Sequence, residues 1–130
     1  MKLLITITFI ACVFISFQAT DPLKESIKRG EEVYADFCKV CHMPTGEGMK
    51  GVFPPLAKAD YLLNNREESI KAVKNGQKGE IVVNGATYNG LMAPLGLDDE
   101  EVADVMNYIL NSWGNSSDKM VTEEEVSKVE

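Results

Sequence analysis

Residues 38–42 read Cys38-Lys39-Val40-Cys41-His42, and the rest of the chain is organised around this pentapeptide. Two thiols with two residues between them lie about one helical turn apart, and the next side chain is a histidine. A C-x-x-C-H run marks covalent attachment of a c-type haem: the thiols add to the two vinyl groups and the histidine ligates the iron. One turn of helix lets both sulfurs reach one edge of the porphyrin while the following residue points at the metal. His42 is the only histidine in the 130 residues, so it has no competitor as the proximal ligand.

Other chemistries fit these residues less well. A structural zinc site wants four N, S or O ligands, and Cys38, Cys41 and His42 find no second C-x-x-C and no histidine pair. A thioredoxin-type motif follows a strand in a βαβ unit, and no such pattern precedes Cys38. A plain Cys38–Cys41 disulfide accounts neither for His42 nor for what lies downstream.

The second axial ligand is sought among the methionines. Met43 adjoins His42 and cannot reach the opposite haem face. Met49 is in a near loop and is sterically awkward, and Met120 is in the tail. Met106 lies on an apolar helical stripe, where core packing is the expected role. Met92 lies in a turn-rich stretch between a hairpin signal and the last long helix, with enough chain to wrap across a haem. The expected iron ligands are therefore His42 and Met92.

The remaining chain organises around this pair. Asp21-Pro22 reads as an N-cap and first helical position, and Leu23, Ile27, Gly30, Tyr34 and Phe37 share one face of the helix that follows. Gly30 costs roughly 1 kcal/mol against Ala inside a helix, which a close approach by another helix explains. Residues 43–55 hold Pro44, Gly46, Gly48, Gly51, Pro54 and Pro55 and read as loop. Asn65, with Glu68 three residues on, predicts a capped helix running to Asn75 before Gly76, with Ile70 and Val73 on its apolar face. Ile81–Val83 and Ala86–Tyr88 flank Asn84-Gly85, a type I′ hairpin signal. Asp98 and Glu101 open the clearest helix, whose stripe is Val102, Val105, Met106, Ile109 and Trp113, with Gly114 ending it. Thr122 and Glu125 predict another capping box. The fold class expected is all-α, one small domain with a short β-hairpin before the long C-terminal helix.

Targeting and charge agree with the motif. Met1–Ala19 carries Lys2 and then an apolar run, the pattern of a secretory signal peptide. That divides the chain into a signal at 1–19, a haem domain at 20–115 and an acidic tail with a short helix at 116–130. Export is what thioether attachment requires in bacteria, so a periplasmic or extracytoplasmic location is expected. An uncleaved anchor is a weaker alternative, as is a lipid on Cys12, because Phe9 stands where a lipoprotein signal prefers Leu. No stable membrane span is expected after cleavage. The full chain has 13 Lys and Arg against 20 Asp and Glu, net −7; without Lys2 the exported chain is −8. That excludes a nucleic-acid binder, which would be basic.

With these motifs in place, the chain resembles the class I cytochromes c across nearly all of residues 21–115. Gly30 and Tyr34 precede C-x-x-C-H at the family's spacing, and Pro54 and Leu56 follow it as a family-like P-x-L. Tyr108 falls where the family packs an aromatic against the N-terminal helix. Tyr88-Asn89-Gly90-Leu91-Met92, Gly96-Leu97-Asp98 and Asn111-Ser112-Trp113-Gly114 look like a bacterial subgroup of these carriers. In one departure, Ala93 separates Met92 from Pro94, where the family usually has Pro directly after the methionine. The resemblance implies one haem c ligated by His42 and Met92, and a bond from the His42 ring to the Pro54 carbonyl. It also implies a monomeric single-electron carrier, not an enzyme, working with protein redox partners in a respiratory or dehydrogenase-linked chain.

Overall fold

The computed structural model describes residues 20–130; the expected signal segment lies outside the described residues. The first helix forms as its sequence dictates. The Asp21 side chain accepts from the Leu23 amide at 3.0 Å and Pro22 begins α1 (Pro22–Val33). The chain then takes one wider, π-helical turn over Tyr34–Cys38 and continues as α2 (Lys39–His42). It stops where Met43 adopts φ 67. Such π-turns recur at functional sites. Here the turn carries the buried stripe from Tyr34 to Cys38, so the stripe is Ser26, Gly30, Tyr34 and Cys38. Phe37, expected on that face, is 46 % exposed, and Leu23 and Ile27 are only half-buried.

After the loop come α3 (Asp60–Asn64) and α4 (Arg66–Asn75). The short α3 was not foreseen, and it alters how α4 begins. The Asn65 side chain donates to the Tyr61 carbonyl at 2.9 Å and does not cap α4, so the predicted Asn65–Glu68 box is not formed. Ile70 and Val73 are buried as expected.

The hairpin is formed by β2 (Ile81–Val83) and β3 (Ala86–Tyr88), in the register Ile81–Tyr88 and Val83–Ala86, turning through Asn84 at φ 50 and Gly85 at φ 75. Positive φ at both turn residues is the type I′ geometry that matches strand twist. An outer pair not foreseen, β1 (Gln77–Lys78) with β4 (Leu91–Met92), closes the base of the same loop.

α5 (Asp99–Ile109) has the full predicted capping box: Asp98 Oδ1 accepts from the Glu101 amide at 2.9 Å and Glu101 Oε2 accepts from the Asp98 amide at 3.0 Å. The helix ends at Ile109, earlier than expected, and Trp113 lies beyond it at φ 52. The Trp113 ring packs on Tyr34 at 4.9 Å and on Tyr108 at 5.5 Å between centroids. α5 lies along α1 as the principal helix–helix contact. A Cβ on Gly30 would run into the Asp104 carbonyl and approach Tyr108 Cβ to 2.9 Å, so glycine there is what lets the two backbones meet.

A polar chain, buried at Ser26, Asp104 and Asn107, spans this interface. Arg29 donates to Asp104 through Nε at 2.6 Å and Nη2 at 2.8 Å, and Ser26 Oγ donates to the same carboxylate at 2.6 Å. Asn107 Nδ2 donates to Ser26 Oγ and to the Val121 carbonyl, each at 2.8 Å. The last of these reaches the tail, where α6 (Glu123–Ser127) packs on α5 and α4. Val121, Val126 and Val129 are buried there. Thr122 accepts from the Glu125 amide at 3.1 Å, but the Glu125 carboxylate turns to Arg66, so only half of the predicted box forms.

Candidate functional site

The π-turn and α2 place Cys38, Cys41 and His42 on one wall of a cavity of about 350 Å³. Cys38 and His42 are buried, Cys41 half-buried, and neither cysteine is in a disulfide. Burial pushes the Cys38 thiol up to about 11, with Cys41 adding to the rise.

The loop 43–55 orients the histidine. Tyr34 donates its hydroxyl to the Met43 carbonyl at 2.7 Å, the Gly48 amide donates to the His42 carbonyl at 3.0 Å, and Met49 and Phe53 exchange backbone bonds at 2.8 Å. This folded loop sets the Pro54 carbonyl 2.9 Å from His42 Nδ1. A carbonyl can only accept, so Nδ1 carries the proton and Nε2 keeps its lone pair for a metal. Burial pulls the His42 pKa below its ordinary value, and the Pro54 bond opposes the shift. The result is a neutral imidazole fixed in one tautomer, the state a metal ligand needs.

Met92 enters the same cavity from β4, beside Leu91 on that strand and Tyr88 on β3. α4 contributes Ser69, Ala72 and Val73, and α5 contributes Met106 and Ile109. Cys38, Cys41, His42, Pro54 and Met92, all predicted from the sequence, thus meet around one space. Met106, predicted as core, is fully buried and also lines it. Met49 lies outside the lining, 46 % exposed. The sequence reading missed Gln77, Ser69 and Tyr88. Tyr88 had a signal, since alternation in the hairpin turns Ile81, Val83 and Tyr88 to one side. Gln77 had none, because a two-residue strand shows no period.

The lining fits a porphyrin. No charged side chain belongs to it, as a flat apolar macrocycle requires. Two thiols on one wall suit the vinyl edge of a haem, and the imidazole nitrogen beside them with a thioether on a separate strand would suit its iron. Ser69 Oγ on α4 is the one buried side-chain polar atom among the described residues that lacks a partner, and it belongs to this lining.

Comparison with known proteins bears on this arrangement. The family model described as Cytochrome c matches residues 27–113. Cytochrome c-552 of Thermus thermophilus is 40 % identical over 109 residues, covering 77 % of this chain and 82 % of the relative. Cytochrome c6 of Gracilaria tenuistipitata is 31 % identical over 109 residues, covering 82 % and 92 %. The cytochrome c subunit of the quinone alcohol dehydrogenase of Gluconobacter oxydans is 27 % identical over 114 residues, covering 77 % of this chain but 21 % of the subunit. A helix-rich fold with a short hairpin, a cavity bearing C-x-x-C-H, and these matches lead to one conclusion: the chain belongs to the cytochrome c family, as a class I monohaem member that binds haem c covalently and carries electrons without being an enzyme.

Proposed function

We infer that this protein is an extracytoplasmic single-electron carrier whose haem is bonded to Cys38 and Cys41 and ligated by His42 and Met92. The observation that carries this reading is the 2.9 Å bond from His42 Nδ1 to Pro54, which frees Nε2 inside the cavity that Met92 also lines. When bound, the haem supplies a one-electron iron couple. The chain's own residues do the rest. Cys38 and Cys41 would hold one edge of the macrocycle on the π-turn and α2. Pro54 holds the His42 ring in one orientation and raises its basicity. Met92 would offer the iron a neutral sulfur, a ligand that raises the potential and would leave no site for substrate. The apolar walls would keep water from the bound group and so limit solvent rearrangement when an electron moves.

Two further observations support the setting. The relatives include cytochrome subunits of a quinone alcohol dehydrogenase and of gluconate 2-dehydrogenase, consistent with protein redox partners in a respiratory or dehydrogenase-linked chain. The signal-like Met1–Ala19 supports export, and among the described residues no helix is long and apolar enough to cross a membrane. The exported protein is expected to be a monomer.

The ligand assignment is tested by substitution. Met92→Ala should abolish the long-wavelength Met–Fe(III) charge-transfer band and lower the reduction potential. Met106→Ala should leave the band in place and cost about 2 to 5 kcal/mol of stability, as for a buried side chain cut to Ala. Loss of the band in the Met106 or Met49 variant instead would refute the assignment.

A further inference from the structure

Gly76 joins α4 to β1 at φ +83, and its amide closes the helix on the Ala72 carbonyl at 3.0 Å. On the next residue the chain pairs with β4, Gln77 opposite Met92 and Lys78 opposite Leu91. The space a side chain would take at Gly76 is filled by the segment that carries Met92. A Cβ there would lie 2.5 Å from the Met92 carbonyl oxygen, 2.9 Å from the Pro94 nitrogen and 3.0 Å from Pro94 Cδ. Two of these are backbone atoms and the third belongs to a rigid ring, so none can rotate away. α4 is itself a cavity wall through Ala72 and Val73. The backbone of Met92 is thus referenced to that wall through a single residue, with Ala93 spanning to the proline that locks the seat.

We propose that Gly76 is a positioning residue for the axial sulfur: its missing side chain lets Met92–Pro94 rest on the end of α4, and that seat fixes how far the thioether reaches into the cavity. The inference rests on Met92 being the ligand. A thioether is a soft, neutral donor with no charge to draw it back to the metal, so a shift of its backbone by a fraction of an ångström releases it. Added bulk at Gly76 acts on ligation before it acts on the fold.

The test uses the haem-loaded protein and four variants: Gly76→Ala, Gly76→Asn, Gly96→Ala and Met92→Ala. Gly76 combines φ 83 with ψ 172, a region essentially confined to glycine, so Ala and Asn there add backbone strain as well as bulk, and a strained position without the collision is the control. Gly96 lies in the same loop at φ +74 with nothing within 4 Å of an added Cβ, so Gly96→Ala carries strain without the collision. Both Gly76 variants should lose the Met–Fe(III) band and let the ferrous form take up carbon monoxide, with far-ultraviolet helix signal retained. Gly96→Ala should keep the band and exclude carbon monoxide. An unchanged band and potential in either Gly76 variant would overturn the proposal. So would an equal loss in Gly96→Ala, or failure of both Gly76 variants to fold as haem proteins, which would make Gly76 a folding residue. A band that survives Met92→Ala would instead remove the ligand assignment beneath it.

Discussion

Gly30 and Tyr34 show how much one residue can decide. A methyl group at Gly30 collides with the Asp104 carbonyl, and a helix backbone at a close crossing cannot yield. Gly30→Leu should therefore cost about 3 kcal/mol or more, the upper end for overpacking, read as a lowered midpoint in denaturant unfolding. Lys28→Leu, at an exposed position on the same helix, should shift the midpoint little; equal effects would make Gly30 an ordinary surface residue. The need for a small residue at Gly30 was legible in the sequence because glycine inside a helix has a cost that something must offset. The meeting of Cys38, Cys41 and His42 on one cavity wall was legible too, since C-x-x-C-H combines three chemical requirements in five positions. The burial of Ser26 was not legible. A serine on an apolar stripe carries no warning that a carboxylate on α5, Asp104, will meet it.

At the scale of elements, long periodic segments could be read and short ones could not. α5 and the hairpin follow from periodicity and turn chemistry that are local. α3 spans five residues and β1 and β4 two each, too few to show a repeat, so only the folded chain reveals them. Phe37 was misplaced because a π-turn changes the helical period, and no sequence rule marks where that happens. The tail adds a contact that local reading cannot supply. Arg66 binds Glu125 by two bonds, Nε at 2.7 Å and Nη2 at 2.8 Å, and also donates to the Lys119 and Met120 carbonyls. Arg66 holds the Glu125 carboxyl below its ordinary value of 4.5. A carboxylate depressed by folding contributes stability that is present above its unfolded pKa and is lost as pH falls through the folded one. Glu125→Gln should then cost about 1 kcal/mol at neutral pH. In paired thermal melts the gap from the parent should close as pH falls below 4.5. A gap that stays constant on acidification would mean that the pair does not secure the tail.

Over the whole molecule, the charge is uneven along the chain and partly evened by folding. Residues 38–78 carry seven basic side chains against four acidic ones, and residues 98–130 carry ten acidic against two basic. The fold takes Arg66 to Glu125 and Lys74 to Asp99, so two of the seven are matched by the acidic half. None of the ion pairs among the described residues involves Lys39, Lys50 or Lys78. Lys39 and Lys78 adjoin the cavity-lining Cys38 and Gln77 in sequence, and Lys50 is two residues from the cavity-lining Val52. An excess of positive charge on the face that bears the site would steer that face toward an acidic redox partner. Lys39→Glu should slow electron transfer to the partner at low salt, and the difference should shrink as ionic strength rises. Glu124→Lys, in the tail beside Lys128, should matter little; a larger effect there, or a rate indifferent to salt, would reject the steering.

Covalent attachment at the two thiols beside His42 is the chemistry on which all the rest depends. Its most direct test is the intact mass of the exported protein from a host competent in cytochrome maturation, measured after acid–acetone extraction, with the haem located by peptide mapping. The expected result is a chain one haem heavier than the polypeptide, with the added mass on the peptide holding Cys38 and Cys41. A chain of polypeptide mass, or haem removed by the extraction, would contradict it.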